Sequence, residues 1–188
     1  MRIIAGEFKS RRLKSIPGLE TRPTPDRMRE SLFSVIQAEL AGRVFADLYA
    51  GTGAVGLEAL SRGATSVIFV ERHAKAAKVL RENIASLGAE TSTRLLQEPA
   101  AKAARHLDAE IVFLDPPYEL TAEYDACLEA LAGGKADLVL IQHDARRTLA
   151  AAYGQLMRVR ELKQGDNVVS FYRRERPALP GEEAPDGV

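Results

Sequence analysis

From Arg43 onward, short apolar strands alternate with amphipathic helices, and the chain then closes on two strands with no helix between them. No other feature of the sequence constrains the fold as tightly. Parallel neighbours need a long crossover, and a helix after each strand supplies it, so the alternation dictates a parallel sheet covered by helices on both faces. The predicted strands are 44–50, 66–71, 93–97, 110–115 and 137–142. The predicted helices are 54–62, 74–87, a short one ending near 107, 121–131 and 145–153. The last two strands, 156–162 and 167–173, meet across Lys163-Gln-Gly-Asp. That turn is too short for a parallel crossover, so the final strand runs antiparallel. The expected architecture is a doubly wound, Rossmann-like α/β fold with a seven-stranded, mostly parallel sheet. It differs from the six-stranded, all-parallel dinucleotide layout. Ahead of it, 2–8 and 12–16 read as a short β-hairpin stopped by Pro17-Gly18. Thr24-Pro25-Asp26 then opens a helix, with Thr24 as cap, Pro25 in the first turn and Leu32, Phe33, Ile36 and Leu40 on one apolar face.

A chain of 188 residues that is 46% hydrophobic and 28% charged has the balance of one soluble globular domain, which excludes a disordered protein. The single cysteine, Cys127, excludes an internal disulfide and a multi-cysteine zinc site, and His73, His106 and His143 are too far apart to suggest metal ligands. No apolar run approaches a membrane span, and the first residues have no apolar signal core. A cytoplasmic protein without metal is expected. Lys plus Arg balances Asp plus Glu at 26 each, but the charge is uneven. Residues 1–29 hold eight basic side chains against three acidic ones, whereas 175–188 hold four acids against Arg176. The expected organisation is a basic hairpin extension over 1–20, the main domain over 21–174 and a disordered acidic, proline-rich tail over 175–188. The basic arm is either a polyanion footprint or a solvated surface, and charge alone leaves both open.

The first strand runs into Asp47-Leu-Tyr-Ala-Gly51-Thr-Gly53-Ala-Val-Gly56, a G-x-G-x-x-G loop that opens a helix. Its glycines permit a tight turn and close approach of a ligand and of the helix. Glu71 ends the second strand 20 residues after Gly51, where a carboxylate accepts ribose hydroxyls. A dinucleotide and S-adenosylmethionine both satisfy this much. Asp47 favours the latter, since it suits a cationic amino-acid group and repels a pyrophosphate. The cofactor set read from this stretch is Asp47, Tyr49, Gly51, Gly53 and Glu71.

Ile111-Val-Phe-Leu-Asp115-Pro116-Pro117-Tyr118 is the most informative stretch. An apolar strand ends at the ligand-binding edge of the sheet in a carboxylate, two prolines and an aromatic. Prolines donate no backbone hydrogen bond, so the loop offers acceptors: the Asp115 carboxylate and the Pro116 carbonyl. An exocyclic amino group has two N–H donors to match them, and Tyr118 offers a face on which a base can stack. Two acceptors that draw the amine toward tetrahedral geometry localise its lone pair for attack on a methyl group. Asp115, Pro116, Pro117 and Tyr118 are therefore the candidate catalytic residues, with no metal required.

Asp-Pro-Pro-Tyr downstream of Asp-x-x-x-Gly-x-Gly resembles the amino-group methyltransferases that use S-adenosylmethionine. Arg2-Ile-Ile-Ala-Gly, Thr21-Arg-Pro-Thr-Pro-Asp-Arg-Met-Arg-Glu-Ser-Leu-Phe33 and the extended run from Asp47 to Gly63 resemble the bacterial 16S ribosomal RNA guanine-N2 methyltransferase family, from Arg2 to about Arg174. That resemblance implies a class I methyltransferase fold, S-adenosylmethionine as methyl donor, and methylation of the 2-amino group of one guanine in 16S rRNA. The implied partner is the small ribosomal subunit or its assembly intermediate, met by a monomer. It also implies that the basic hairpin helps hold RNA, through Arg11, Arg12, Lys14 and Arg27. The alternatives are a DNA amino-methyltransferase, for which the chain leaves little room for a DNA-reading domain, an NAD-dependent oxidoreductase and a non-enzymatic RNA-binding module. Two positions depart from the family pattern. Gln97-Glu98-Pro99-Ala100 stands where an Asp-Ala usually meets the adenine amino group, so either Glu98 substitutes or that contact is missing. Gln142-His143-Asp144 stands where an acidic pair is usual, and His143 reads as structural or solvent-facing rather than catalytic.

Overall fold

A computed structural model of the chain describes residues 1–16 and 26–175. The Pro17-Gly18 stop, the Thr24 cap with Pro25, the Thr21-Arg-Pro-Thr motif and nearly all of the acidic tail lie outside those residues. The elements run α1 (Asp26–Leu40), β1 (Val44–Leu48), α2 (Ala54–Ser61), β2 (Ser66–Val70), α3 (Ala74–Leu87), β3 (Thr93–Leu96), α4 (Ala100–Ala103), β4 (Ile111–Leu114), α5 (Thr121–Ala132), β5 (Leu138–Asp144), β6 (Ala152–Tyr153), β7 (Leu156–Gln164) and β8 (Asn167–Arg174). They form one sheet in the order β3-β2-β1-β4-β5-β8-β7-β6. The first five strands are mutually parallel, and β8 enters antiparallel between β5 and β7.

The two-residue period of the strands divides the core into two layers. Phe45, Phe69, Ile111, Phe113 and Leu140 pack beneath α1, α2 and α3. Their neighbours Ala46, Val70, Val112, Leu114 and Ile141 pack beneath α4 and α5. Gly56 lets α2 lie close on the sheet, since a Cβ there would stand 2.3 Å from the Phe69 ring.

Two predicted features change. The helix expected over 145–153 does not form. Asp144 accepts the Arg146 N–H at 2.9 Å as at a helix start, but the groups that would continue a helix are taken elsewhere: the Ala150 N–H bonds to the Tyr153 hydroxyl, the Ala150 carbonyl accepts the Tyr172 hydroxyl and the Ala151 carbonyl accepts the Arg158 N–H. Tyr153 then packs edge-on against Tyr172 and enters β6, which turns back on β7 through Gly154, at a φ of 53°. The sheet consequently has eight strands instead of seven.

The N-terminal hairpin is reduced to one antiparallel bridge, Arg2 to Arg12. The backbone of the intervening loop bonds to α2 instead. Ile4 and Ala5 donate to the buried Glu58 carboxylate at 2.7 and 3.0 Å, Glu7 donates to the Ser61 carbonyl, and Phe8 donates to the Ser61 hydroxyl. Gly6 is required there, because a Cβ would fall 1.7 Å from the Ser61 carbonyl oxygen. Arg29 from α1 and Arg62, just past the end of α2, flank Glu58 and balance its buried charge. The arm also contributes Ile3 and Leu13 to the core, so its basic side chains ride on a docked backbone.

Candidate active site

The register of the parallel strands builds the site. Leu48 pairs with Val70 and with Leu114, and Leu114 pairs with Ile141. The next residue on each of these four strands is Tyr49, Glu71, Asp115 or Gln142. All four line one cavity of about 770 Å³ at the carboxyl edge of the sheet. This edge, where the chain winds outward in both directions from β1 and β4, is where open α/β sheets bind ligands.

The glycine loop forms one wall. Gly51 takes a φ of 55° with open space where a Cβ would stand, and it lines the cavity. Its N–H donates to Glu71 Oε2 at 2.9 Å, while the His73 N–H donates to Glu71 Oε1 at 2.7 Å. A carboxylate offers about four acceptor positions, so roughly two lone pairs remain for hydroxyl groups. Asp47 is buried, and its Oδ2 accepts the Gly56 N–H at 2.8 Å. Burial pushes its carboxyl up to about 7 against the pull of that N–H, and Asp115 and Glu71 add to the rise by facing it with like charge. Tyr49 lines the cavity in a left-handed conformation, with its hydroxyl donating to Glu123 and meeting the Cys127 sulfur. Gly53 does not line the cavity: with a φ of 81°, it makes the turn, and a Cβ there would strike Leu80.

The Asp115-Pro-Pro-Tyr loop forms the opposite wall, and all four of its residues line the cavity. Asp115 is half-buried, with the Gln142 amide nitrogen 3.4 Å from its Oδ2. The Pro116 carbonyl accepts the Tyr124 hydroxyl at 3.0 Å, which fixes the loop and leaves that oxygen a second lone pair. Tyr118 donates through its hydroxyl to Asn167 Oδ1 at 2.9 Å, which tethers its ring at the cavity edge. Arg147 lies over the Tyr124 ring, 4.2 Å from its centre, and steadies the same loop.

Glu98 lines the cavity, and its bond to Lys102 holds its carboxyl below the usual range. His143 is buried, with Nδ1 on the Asp144 carbonyl and Nε2 on the Ser170 hydroxyl, each at 2.9 Å. Burial lowers its basicity, and its place is structural. Asn167 and Tyr124 are support residues that local sequence motifs do not single out, and Gln142 is marked only as a departure from the family pattern. Tyr124 comes from the apolar face of α5, whereas Gln142 and Asn167 are placed by strand pairing. Their signal is register, since β5 continues β4 by one position and Asn167 pairs with Asp144.

Arg11, Arg12, Lys14 and Arg27 are exposed on the docked arm and the start of α1. Arg11 donates to the Ser86 carbonyl at 2.5 Å, and Lys14 pairs with Glu82 at 2.8 Å. The exposed Lys14–Glu82 pair is screened by solvent and leaves Lys14 open to exchange for a phosphate. Met1 and Ile16 carry the arm to the cavity rim. Among the described residues, no cluster could hold a metal ion and no helix is long and apolar enough to cross a membrane.

The family model described as Conserved hypothetical protein 95 matches residues 1–173. Ribosomal RNA small subunit methyltransferase D of Escherichia coli K12 is 33% identical over 183 residues, covering 93% of this chain and 90% of that protein. The solved structure of yhhF from Escherichia coli superposes with a TM-score of 0.81 at 32% identity, covering 93% of this chain and 98% of that one. An RNA methyltransferase from Salinibacter ruber, solved with S-adenosyl-L-homocysteine, shares the fold at a TM-score of 0.62 and 17% identity, over 85% of this chain and 99% of that one. Matched along nearly its whole described length and carrying the class I methyltransferase fold, the chain belongs to the Conserved hypothetical protein 95 family.

Proposed function

We propose that this protein methylates the exocyclic 2-amino group of a guanine in small-subunit ribosomal RNA, with S-adenosylmethionine as the methyl donor. The observation that carries the reading is the meeting, in one cavity, of the Gly51 loop with Glu71 and the donor-free loop of Asp115 and Pro116. The cavity suits the donor on its own evidence. Asp47, Glu71 and Asp115 face one another closely enough to raise the Asp47 carboxyl, so a cationic ligand relieves their repulsion and a pyrophosphate worsens it. Glu71 would hold the ribose hydroxyls, Asp47 the amino-acid end, and Gly51 the close backbone approach. Bound there, S-adenosylmethionine supplies an electrophilic methyl group.

The chain's own residues do the rest. The Asp115 carboxylate accepts one amine N–H and the Pro116 carbonyl accepts the other. That pair orients the nitrogen lone pair toward the cofactor side of the cavity. Asp115 is also the basic group in contact with the amine, and takes up the proton lost on methylation. Tyr118 stacks on the base, with its ring angle set by Asn167. Arg11, Arg12, Lys14 and Arg27 hold RNA phosphates. The working partner in this reading is the small subunit or an assembly intermediate, engaged by a single chain.

Calorimetry should detect S-adenosylmethionine and no NAD. Labelled methyl groups should pass to small subunits from a strain lacking the enzyme, with the label mapping to N2 of one guanine. Label on adenine, on cytosine or on protein, or binding of NAD alone, would overturn the reading.

A further inference from the structure

Gln142 holds an acceptor that nothing in the described protein uses. It is 3% exposed, lines the cavity and follows Ile141 at the end of β5, beside Asp115. Its Nε2 stands 3.4 Å from Asp115 Oδ2, and its Oε1 is buried with no hydrogen-bond partner among the described residues. Charge fixes which way the amide faces. Turned over, its oxygen would oppose a carboxylate oxygen, so the nitrogen takes the Asp115 side and the oxygen is left over. The next residue, His143, has both ring nitrogens engaged and offers no substitute. A buried carbonyl oxygen without a donor is costly, and a ligand that brings one recovers the loss.

The inference rests on the reading that Asp115 and the Pro116 carbonyl receive the base amine. The bases differ in the atom next to that amine. In guanine, the neighbour of N2 on the pairing edge is N1–H, a donor. In adenine and cytosine, the corresponding neighbour of the amine is a ring nitrogen with a lone pair. An acceptor beside Asp115 complements the first and repels the other two. We infer that Gln142 Oε1 accepts the N1–H of the target base, which makes Gln142 a specificity-determining residue for guanine. A site built around a polar partner rejects a base that lacks it, because its own buried group is then left unpaired.

The test uses small-subunit RNA carrying 2-aminopurine at the methylated position. That base keeps the 2-amino group but has a bare N1. The readout is the ratio of kcat/KM for guanine over 2-aminopurine. The native protein should favour guanine by about ten- to a hundred-fold, the cost of leaving one buried acceptor unpaired. Gln142→Leu should bring the ratio to near one, mainly by losing rate on guanine. Gln142→Glu keeps an acceptor and should keep much of the preference, whatever its overall rate. A general packing defect lowers both substrates alike and leaves the ratio unchanged. A penalty from the missing 6-oxo group of 2-aminopurine would persist in Gln142→Leu. Equal use of the two bases by the native protein, or an undiminished ratio in Gln142→Leu, would overturn the inference. Absence of transfer to unmodified RNA would instead overturn the underlying reading, and this inference with it.

Discussion

The two walls of the cavity are built from the same element, a strand end, and bond in opposite ways. On the β1–β2 wall, backbone N–H groups fill the carboxylates: Gly56 on Asp47, and Gly51 and His73 on Glu71, all at 2.7–2.9 Å. On the β4–β5 wall, Pro116 and Pro117 bring no N–H at all, and the bond between Gln142 and Asp115 is long at 3.4 Å. The first wall is preorganised by its own glycine loop. In the proposed reading, the second presents the Asp115 carboxylate and the Pro116 carbonyl to donors that arrive with a substrate. If, as proposed, the first wall holds the cofactor and the second receives the amine, the difference makes the two functions separable, and each wall can be broken without the other.

The largest effect belongs to the acceptor wall. Asp115→Ala removes an electrostatic acceptor at the reacting group, worth on the order of 3–4 kcal/mol in transition-state stabilisation. Asp115→Asn should also be poor, since an amide is the weaker acceptor and can present its NH2 instead. Tyr118→Ala should slow transfer more than Tyr118→Phe, which keeps the stacking face and loses only the tether to Asn167. Single-turnover rates at saturating cofactor measure all three.

Next comes the cofactor wall. Glu71→Ala should weaken S-adenosylmethionine binding by about 1.5–3 kcal/mol, or roughly 10–150-fold. From sequence alone, folding should be untouched. The bonds from Gly51 and His73 add a loss of stability, which Glu71→Gln should partly restore by keeping one acceptor. Calorimetry and thermal melts separate the two effects.

Asp47 should reveal itself through pH. Its carboxyl is raised from 3.8 to about 7 by burial, so the folded protein holds a proton that the unfolded chain releases across that window. Ligand-free stability should therefore fall as pH rises from about 4 to 7, by on the order of 4 kcal/mol. Asp47→Asn should flatten that fall and raise the melting temperature at pH 8. Binding of the cationic cofactor favours the ionised carboxylate, so affinity should climb with pH up to about 7, with proton release. In Asp47→Asn, affinity should be weaker and nearly independent of pH.

The smallest effect is expected at the arm, outside both walls. Arg12→Ala should reduce the slope of log K for RNA against log salt by about one, for one lost phosphate contact. Arg11→Ala should change it less, because Arg11 already donates to Ser86. Cofactor affinity should be unchanged in both, and an unaltered slope would return the arm to a solvated surface.

What the sequence made legible follows the same division. Strand and helix alternation places β1 to β5 and the antiparallel β8, because apolar period and glycine stops are local signals. Both departures from that pattern come from backbone donors captured by distant or competing acceptors. The Tyr153 hydroxyl draws the Ala150 N–H away from a helix, and Glu58 and Ser61 draw the arm's N–H groups away from a strand partner. In the site, Asp47, Glu71 and Asp115 stand out because each ends or closes a strand near a recognisable loop. Gln142 and Asn167 do not, since their proximity to Asp115 and Tyr118 depends on how β5 pairs with β4 and β8. Gly53 shows the converse: it fits the motif, yet it lies outside the cavity lining, and its conformation makes the turn against α3.

The separation of the two walls is tested most directly in one variant, Asp115→Ala, with cofactor affinity by calorimetry and single-turnover methyl transfer measured on the same preparation. S-adenosylmethionine affinity should stay close to that of the native protein with most transfer abolished. Near-native transfer, or a loss of cofactor binding as deep as that of Glu71→Ala, would contradict it.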